Sequence, residues 1–455
     1  NGDLGGTIYL TAGTLSLGTI TKLGTIMATA GATLDLTGTV STDENSKLQV
    51  ANDSTLTFKT ANAFTFNGSL LIDGTLKIDQ KSAMVTLAGT GNQYEEIEFN
   101  KLTFASGFKS KVAGTLKIVG SDAQLKVESG TLNSLGSLNL SKSLTLDLAE
   151  NANAQFGNLY GSVRSTLTVT GTGSATFAGI DEMAIEIDSS ATVKFVSGNL
   201  GVINGGANAT LEKIGANTTL VTKVANNDFT GTVKVSEGKF GFLQGGAFAN
   251  AKLEVAGDGE AIIAYDSKSK VAIGAVADAT TIAKTLTGNG KLTVANSNEL
   301  SFEKKELVDG FKGTLALENG VANLKNFSTD AIVQMSSNSK IVLNETFTLK
   351  KLEFAFNDTN QIDFSAVDAN QTLTISDFGY IKNQTTGTKG TLGIRVETGT
   401  VEFAKSITEK LNLVAFGSGT LKLSDTDHDI GELSAGFIEG GKAVTVDLTG
   451  ATGKI

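Results

Sequence analysis

Short runs in which apolar and polar residues alternate extend along the whole chain. The recurring unit is Gly, then Thr or Ser, then apolar, polar and apolar positions, as in GTLKI at 74–78 and 114–118, GTVKV at 231–235 and GTLKL at 419–423. Alternation over four or five positions is the period of a β-strand with one buried face. Gly, Asn, Asp and Ser lie between the runs and favour turns. We therefore predict many short strands, with little or no helix.

The spacing of these runs predicts how the strands are arranged. Hydroxyl residues that open a run recur about every 20 residues, as in the pairs Thr33 and Thr55, Thr55 and Thr75, Thr115 and Ser137, Thr372 and Thr391, and Thr400 and Thr420. Such a period is typical of solenoids, in which each repeat is one coil stacked on the next. One coil cannot bury its inner face alone, whereas a stack shares one continuous core. We predict an all-β fold in which residues 1–455 form a single parallel β-helix (β-solenoid) of roughly 20 coils.

A β-sandwich or jelly roll is the alternative arrangement of short alternating strands. Asn-Gly and Asp-Gly dipeptides, which favour hairpins, occur at 67–68, 73–74, 204–205 and 319–320, but they are not placed to pair strands of equal length. The absence of Pro agrees with parallel coils, because Pro would remove a donor N–H from the ladder. Helical turns are expected only within Ile273–Leu286 and Glu303–Phe311.

The composition of the chain excludes several classes of chemistry and of binding partner. The chain has no Cys and one His, which excludes disulfides, thiol catalysis and any site needing two imidazoles. The net charge of −10, from 37 basic and 47 acidic residues, argues against nucleic acid or an anionic membrane as the main partner. No run of 18 apolar residues is present, so we predict no membrane-spanning helix. The first residues, NGDLGGTIYL, lack Met and a signal-peptide pattern, so we expect a processed chain or part of a precursor.

One segment, residues 213–292, has a more specific pattern. Lys213 and Gly215 precede TTLV at 218–221, NDFTGTVKV follows at 227–235, and AFANAKLEV at 247–255 and LTGNGKL at 286–292 complete it. This order of residues resembles the passenger-associated repeat of bacterial autotransporter proteins. The resemblance implies a right-handed parallel β-helix that is exported across the outer membrane to the bacterial cell surface. The chain ends TVDLTGATGKI, without the β-barrel that follows the passenger in that family, so we expect a cleaved barrel or another export route.

Two acidic clusters are candidates for chemistry. In DTDHDIGE at 425–432, Asp425, Asp427 and Asp429 are weak candidates for calcium, which prefers several oxygen ligands. The run lacks the rest of an EF-hand loop, so a solvated turn is the alternative, and no motif supplies the nucleophile that His428 would need as a catalytic base. We predict no other cofactor.

The second cluster, Glu95, Glu96 and Glu98, could supply paired carboxylates for cleavage of a polysaccharide. Sugar clefts favour Trp and Tyr platforms and Arg forks, whereas this chain has no Trp, five dispersed Tyr and two Arg. We therefore predict a non-enzymatic protein, with Glu96 and Glu98 on the solvent face beside inward Ile97 and Phe99. The Gly-rich strings at 89–92 and 286–291 lack phosphate-loop spacing and are interpreted as turns.

The Phe residues are interpreted as stacked core rings, with an exposed partner-binding ladder as the alternative. This interpretation covers Phe58, Phe64, Phe66, Phe99, Phe104, Phe108, Phe347, Phe354, Phe356 and Phe364.

Two non-enzymatic functions remain. A structural protein of the cell surface would self-assemble, head to tail or laterally, into a fibril or surface layer, since unpaired coil ends promote stacking. An adhesin would bind host or neighbouring cells through a loop that protrudes from the solenoid, and the least repetitive stretches are 80–111 and 178–215. We favour the structural role.

Overall fold

The computed structural model describes residues 2–79, 84–162, 164–188, 190–243, 247–265, 268–355, 359–365, 368–381, 390–407, 411–424, 427–436 and 443–449. These residues are nearly all β and wind into a β-solenoid of about 20 parallel turns, which confirms the predicted fold class. The chain divides into two compact units. Unit 1 is Asn1–Ile214 with Asp228–Thr232, and unit 2 is Gly215–Asn227 with Val233–Ile455. That residues 1–455 form a single continuous solenoid stays a prediction.

Unit 1 contains 23 strands among its described residues. They are β1 (Gly2–Leu10), β2 (Gly13–Leu17), β3 (Ile20–Ala28), β4 (Ala32–Leu36), β5 (Val40–Val50), β6 (Thr55–Thr60), β7 (Phe64–Phe66), β8 (Ser69–Ile78), β9 (Val85–Leu87), β10 (Asn92–Phe99), β11 (Lys101–Phe104), β12 (Ser110–Ile118), β13 (Ala123–Val127), β14 (Gly130–Leu132), β15 (Ser137–Leu140), β16 (Leu144–Leu148), β17 (Ala152–Gly161), β18 (Thr166–Gly171), β19 (Ser174–Asp181), β20 (Ala184–Ile187), β21 (Thr192–Leu200), β22 (Ile203–Gly205) and β23 (Thr210–Lys213).

The remaining described strands belong to unit 2, apart from the first residue of β25. They are β24 (Thr219–Thr222), β25 (Thr232–Phe242), β26 (Phe248–Ile263), β27 (Lys270–Ile273), β28 (Thr280–Gly288), β29 (Lys291–Ala295), β30 (Glu299–Phe302), β31 (Thr314–Glu318), β32 (Val321–Asn323), β33 (Ile332–Ser336), β34 (Lys340–Leu343), β35 (Phe347–Leu349), β36 (Lys351–Phe354), β37 (Thr359–Ser365), β38 (Thr372–Ile375), β39 (Phe378–Tyr380), β40 (Thr391–Thr398), β41 (Thr400–Phe403), β42 (Leu411–Gly417), β43 (Thr420–Leu423), β44 (Ile430–Gly436) and β45 (Thr445–Asp447).

The strands of unit 1 form three series of parallel pairs. The longest runs β1, β3, β5, β8, β10, β12, β15, β17, β19, β21 and β23. The second runs β7, β9, β11, β13, β16, β18, β20 and β22, and the third runs β2, β4, β6 and β8. Each strand therefore pairs with one a full turn away, and the antiparallel alternative is wrong.

Unit 2 repeats this arrangement. One series runs β26, β29, β31, β33, β36 and β39, and another runs β27, β30, β32, β34, β37, β40, β42 and β44. The third runs β35, β38, β41, β43 and β45, again in parallel. Most paired strands keep a constant register over several residues, although some pairs, such as β3 with β5 and β37 with β40, contain register shifts. Equivalent side chains therefore lie in rows that cross the strands.

The core is filled by the inward residues of each strand. Phe156, Phe177 and Phe195 are register partners, and their buried rings stack with centroids 5.1 and 5.5 Å apart. Every described Phe of the predicted set is buried, so their position in the core is confirmed and an exposed ladder is wrong for these residues. The ring contacts within this set, Phe58 with Phe64 and Phe104 with Phe108, are tilted rather than stacked. Phe356 lies outside the described residues.

Helix is confined to one short segment of the described chain. The 3-10 helix Lys305–Leu307 lies inside the predicted window Glu303–Phe311. The second window, Ile273–Leu286, is wrong, because β28 occupies its second half and pairs in parallel with β26.

The glycine that opens many of the repeated runs is needed where successive turns touch. A Cβ added to Gly114 would lie 1.9 Å from the backbone oxygen of Glu95, and one added to Gly313 would lie 2.0 Å from that of Gly290. Neither glycine has the left-handed backbone that a turn would require. The motif glycine therefore permits close stacking of the turns.

Candidate functional sites on the solenoid surface

In the acidic run at 425–432, the described residues before β44 differ in exposure. His428 is only 2% exposed, and its Nδ1 accepts a hydrogen bond of 3.2 Å from the N–H of Ile407, whereas Asp427 and Asp429 are exposed. Among the described residues, no group of three His, Asp or Glu is arranged to hold a metal. Asp425 lies outside them, so calcium at Asp425, Asp427 and Asp429 stays a prediction.

Two of the three carboxylates proposed for glycoside cleavage, Glu96 and Glu98, take part in a contact between turns, and Glu95 is exposed. The Lys117 Nζ lies 2.6 Å from Glu98 Oε1 and 3.8 Å from Glu96 Oε1. The hydrogen bond to Glu98 raises the pKa of Lys117. Glu96 and Glu98 point outward while Ile97 and Phe99 are buried, as predicted. These two carboxylates share one ammonium group and link β10 to β12.

Charged outward residues elsewhere also link successive turns. In unit 2, Lys291 Nζ lies 3.0 Å from Glu260 Oε1 and 3.3 Å from Glu318 Oε1. Burial raises the pKa of Glu260, but the hydroxyl of Thr293 and the charge of Lys291 outweigh burial and hold this pKa below its ordinary value. These ion pairs support the stack.

The two stretches in which we expected a protruding loop consist mainly of strands of the solenoid. Residues 84–111 contain β9, β10, β11 and the start of β12, and residues 178–215 contain strands from β19 to β23. The prediction of a long loop is therefore wrong for their described parts, because the loss of obvious repetition there reflects varied side chains on regular strands.

One row of outward side chains in unit 1 is apolar at most of its positions. It consists of consecutive register partners on β1, β3, β5, β8, β10 and β12. We name it the apolar row, and its members are Tyr9, Met27, Gln49, Leu71, Gln93 and Val112. Tyr9, Leu71 and Val112 are 66%, 38% and 59% exposed. Neighbouring strands are about 4.8 Å apart, so the row extends about 24 Å over the surface.

Sequence reasoning missed this row, although a signal for it exists. Leu71 lies between buried Leu70 and Ile72, and Tyr9 lies between Ile8 and buried Leu10. Three consecutive apolar residues in a strand place one of them on the outer face. The interrupted alternation therefore marks the row, but only the register shows that its members lie side by side.

Unit 2 contains a polar groove of about 420 Å³ at a corner of its turns. We name it the corner groove, and its lining includes Lys268, Lys270, Glu299, Asn319, Asn338 and Gln361. Lys270, Glu299, Val321, Lys340 and Gln361 are successive register partners across β27, β30, β32, β34 and β37. The groove therefore crosses four steps between turns, about 19 Å.

A buried layer of polar side chains fixes the backbone below the corner groove. Asn298 is fully buried; its Oδ1 accepts from the N–H of Ser269 at 3.0 Å, and its Nδ2 donates to the Ala295 oxygen at 2.7 Å. The N–H of Ser339 donates to buried Asn360 Oδ1 at 2.7 Å. The corner is thus held from inside, which leaves the outer side chains available to a ligand.

Comparison with known proteins adds no relative. No protein-family model, no curated protein and no solved structure matches the chain. The fold alone defines its class, a parallel β-solenoid protein. Within the described residues, no helix is both long and apolar enough to cross a membrane.

Proposed function

We propose that the chain is a non-enzymatic structural protein of the bacterial surface, and that it self-assembles into a fibril or layer. The observation that carries this proposal is the apolar row of unit 1. The location rests on the resemblance of residues 213–292 to the passenger-associated repeat.

Self-assembly would bury the apolar row. Large apolar side chains that share one exposed strip favour contact with another protein surface, because burial removes them from water. Tyr9, Leu71 and Val112 alternate with Gln49 and Gln93, so the strip offers both apolar area and amide hydrogen bonds. A second copy of the chain presents the same strip at the same spacing, which permits a self-complementary contact.

A non-enzymatic role agrees with the state of the candidate carboxylates. Glu96 and Glu98 both contact Lys117, and the hydroxyl of Thr75 donates to Glu96 at 3.3 Å. One oxygen of each carboxylate, Oε1, therefore takes part in contacts that stabilise the stack.

Charge placed in the apolar row tests the proposal. The double variant Leu71→Lys/Val112→Lys should remain dispersed at concentrations at which the unmodified protein forms fibrils or layers in negative-stain micrographs and sedimentation. A control with the same added charge is Gln124→Lys/Thr145→Lys, which alters outward positions on β13 and β16. The control should assemble like the unmodified protein.

Two results would contradict the proposal. One is an unmodified protein that stays monomeric at high concentration, and the other is equal assembly of the two double variants. Circular dichroism of each variant before the assay establishes that it is folded.

Attachment to other cells is the second candidate function, and the corner groove of unit 2 is the observation that favours it. Its groups suit a ligand different from a second copy of the chain.

A further inference from the structure

We infer that the corner groove binds an acidic oligosaccharide, a hydroxyl-rich chain that carries isolated carboxylates. This inference does not depend on self-assembly, because the groove lies in unit 2 and the apolar row in unit 1.

The first argument is that several polar side chains of the groove make no polar contact with any described residue. Lys268 and Lys270 make no ion pair with any described residue, and the side chains of Asn319, Asn338 and Gln361 make no hydrogen bond there. Lys340, in contrast, is held by Asp363 at 2.7 Å. The groove therefore combines two available ammonium groups with several available amides.

Two surface grooves of unit 1 differ from the corner groove, because polar side chains in them already form hydrogen bonds or ion pairs within the protein. In the groove of unit 1 next to Glu96, that carboxylate is held by Lys117 and by Thr75. In the groove next to Phe64, the Thr42 hydroxyl donates to the Thr65 oxygen at 3.0 Å and accepts from the N–H of Asn67. Hydrogen-bonding groups in both of these grooves already stabilise their own turns.

The second argument is shape. A volume of about 420 Å³ is within the range of ligand sites. The groove is elongated, because it extends over five successive strands. Its amides repeat at the spacing of the strands, and the buried Asn298 and Ser339 fix the backbone from which they project. A linear ligand with regularly repeated hydroxyl groups suits this arrangement, because little ordering of the protein is needed on binding.

The third argument is charge. Lys268 and Lys270 attract a carboxylate, while Glu299 opposes closely spaced negative charges along the same groove. The protein as a whole carries −10, which repels a densely charged polymer such as nucleic acid. None of the lining residues is aromatic or Arg, so neither bases nor sugar rings can stack there, and a sugar chain would be held by the ammonium and amide groups alone. A sparsely charged sugar chain suits the two Lys and the opposing Glu299.

The test is ligand-observed NMR with a panel of oligosaccharides containing sialic or uronic acid, each compared with its neutral counterpart. The unmodified protein should bind at least one acidic member at millimolar or lower concentration, more tightly than the neutral counterpart, and more weakly as salt is raised. An oligothymidylate is included as the competing class of ligand.

Two matched variants locate the site. Lys268→Gln/Lys270→Gln should weaken binding roughly tenfold. Lys252→Gln/Lys312→Gln removes the same charge from exposed positions of unit 2 outside the groove and should change it less than twofold. Asn319→Ala/Asn338→Ala should weaken acidic and neutral members alike.

The inference is overturned if no acidic member of the panel binds, if neutral counterparts bind equally well, or if oligothymidylate is preferred. Equal losses in the two lysine double variants would also overturn it, because the effect would then come from net charge rather than from the groove.

Discussion

Replacing Gly114 with alanine tests the reason for the repeated glycine. The added Cβ would lie 1.9 Å from the Glu95 oxygen, whereas such contacts are essentially never below 3.0 Å. Strands β10 and β12 would therefore have to separate by about 1 Å, which takes ladder hydrogen bonds beyond bonding range. Two or three rungs at about 1 kcal/mol each would be lost. Alanine also restricts the unfolded chain more than glycine does, which stabilises the folded protein by about 0.4–1 kcal/mol. We therefore expect a net destabilisation of about 1–3 kcal/mol.

The matched control is Gly18→Ala in the same unit. A Cβ on Gly18 would meet no atom within 4 Å, and the backbone there is not left-handed. We expect this variant to be unchanged or stabilised by about 0.4–1 kcal/mol, because only the unfolded chain is affected. The two substitutions are chemically identical, so opposite signs would identify the contact between turns as the cause.

Hydrogen exchange read by mass spectrometry suits this comparison, because solenoids need not unfold in a single step. Gly114→Ala should speed exchange in peptides from β10, β12 and β15, and Gly18→Ala should not speed exchange near its own site. Urea unfolding followed by circular dichroism gives the global midpoint. Equal midpoints and equal exchange for the two variants would refute the explanation of the glycine.

Three further predictions follow from the core and the contacts between turns. Phe177→Ala should destabilise unit 1 by about 3–5 kcal/mol in urea unfolding, because its buried ring is stacked on both faces, and Phe177→Leu should cost less. Asn298→Ala should cost about 2–3 kcal/mol and speed exchange of the Ser269 amide, which loses its acceptor. Because the folded pKa of Glu260 lies below its ordinary value, its contribution to stability is present above about pH 4.3 and is lost as the pH falls through the folded pKa. Glu260→Gln should therefore reduce the loss of stability measured in acid melts.

Each of these predictions can fail in a distinct way. Equal stability of the alanine and leucine variants at position 177 would exclude the lost core volume as the cause. Unchanged exchange at Ser269 would show that Asn298 does not hold the corner. Parallel acid melts for the unmodified protein and Glu260→Gln would show that this carboxylate keeps its ordinary pKa.

The sequence predicted the number of residues per turn better than it predicted which residues pair across neighbouring strands. Thr55 pairs with Thr75, Thr115 with Ser137, and Thr400 with Thr420, as the spacing indicated. Thr33 instead pairs with Thr57, two residues beyond the expected partner. Turn length differs between coils, so an average period cannot fix the register of each one.

The spacing also predicted the wrong pairing partner where one turn has the same residue pattern in strands on more than one of its faces. Thr372 pairs with Thr400 in the series that contains β38, whereas Thr391 belongs to β40 and pairs with Thr359. Local alternation identifies a strand but does not say which face of the turn it occupies. The apolar row and the corner groove were missed for this reason, since both consist of residues from successive turns that only the register brings together.

The parallel ladder also determines how each unit would respond to pulling. Most described strands pair with the strands one turn before and one turn after them, so tension applied to the outermost turn of a unit loads that turn first. That turn would peel away and transfer the load to the next, giving a series of small extensions. Material built from such units would lengthen stepwise under shear and recover by rewinding onto the turns that remain.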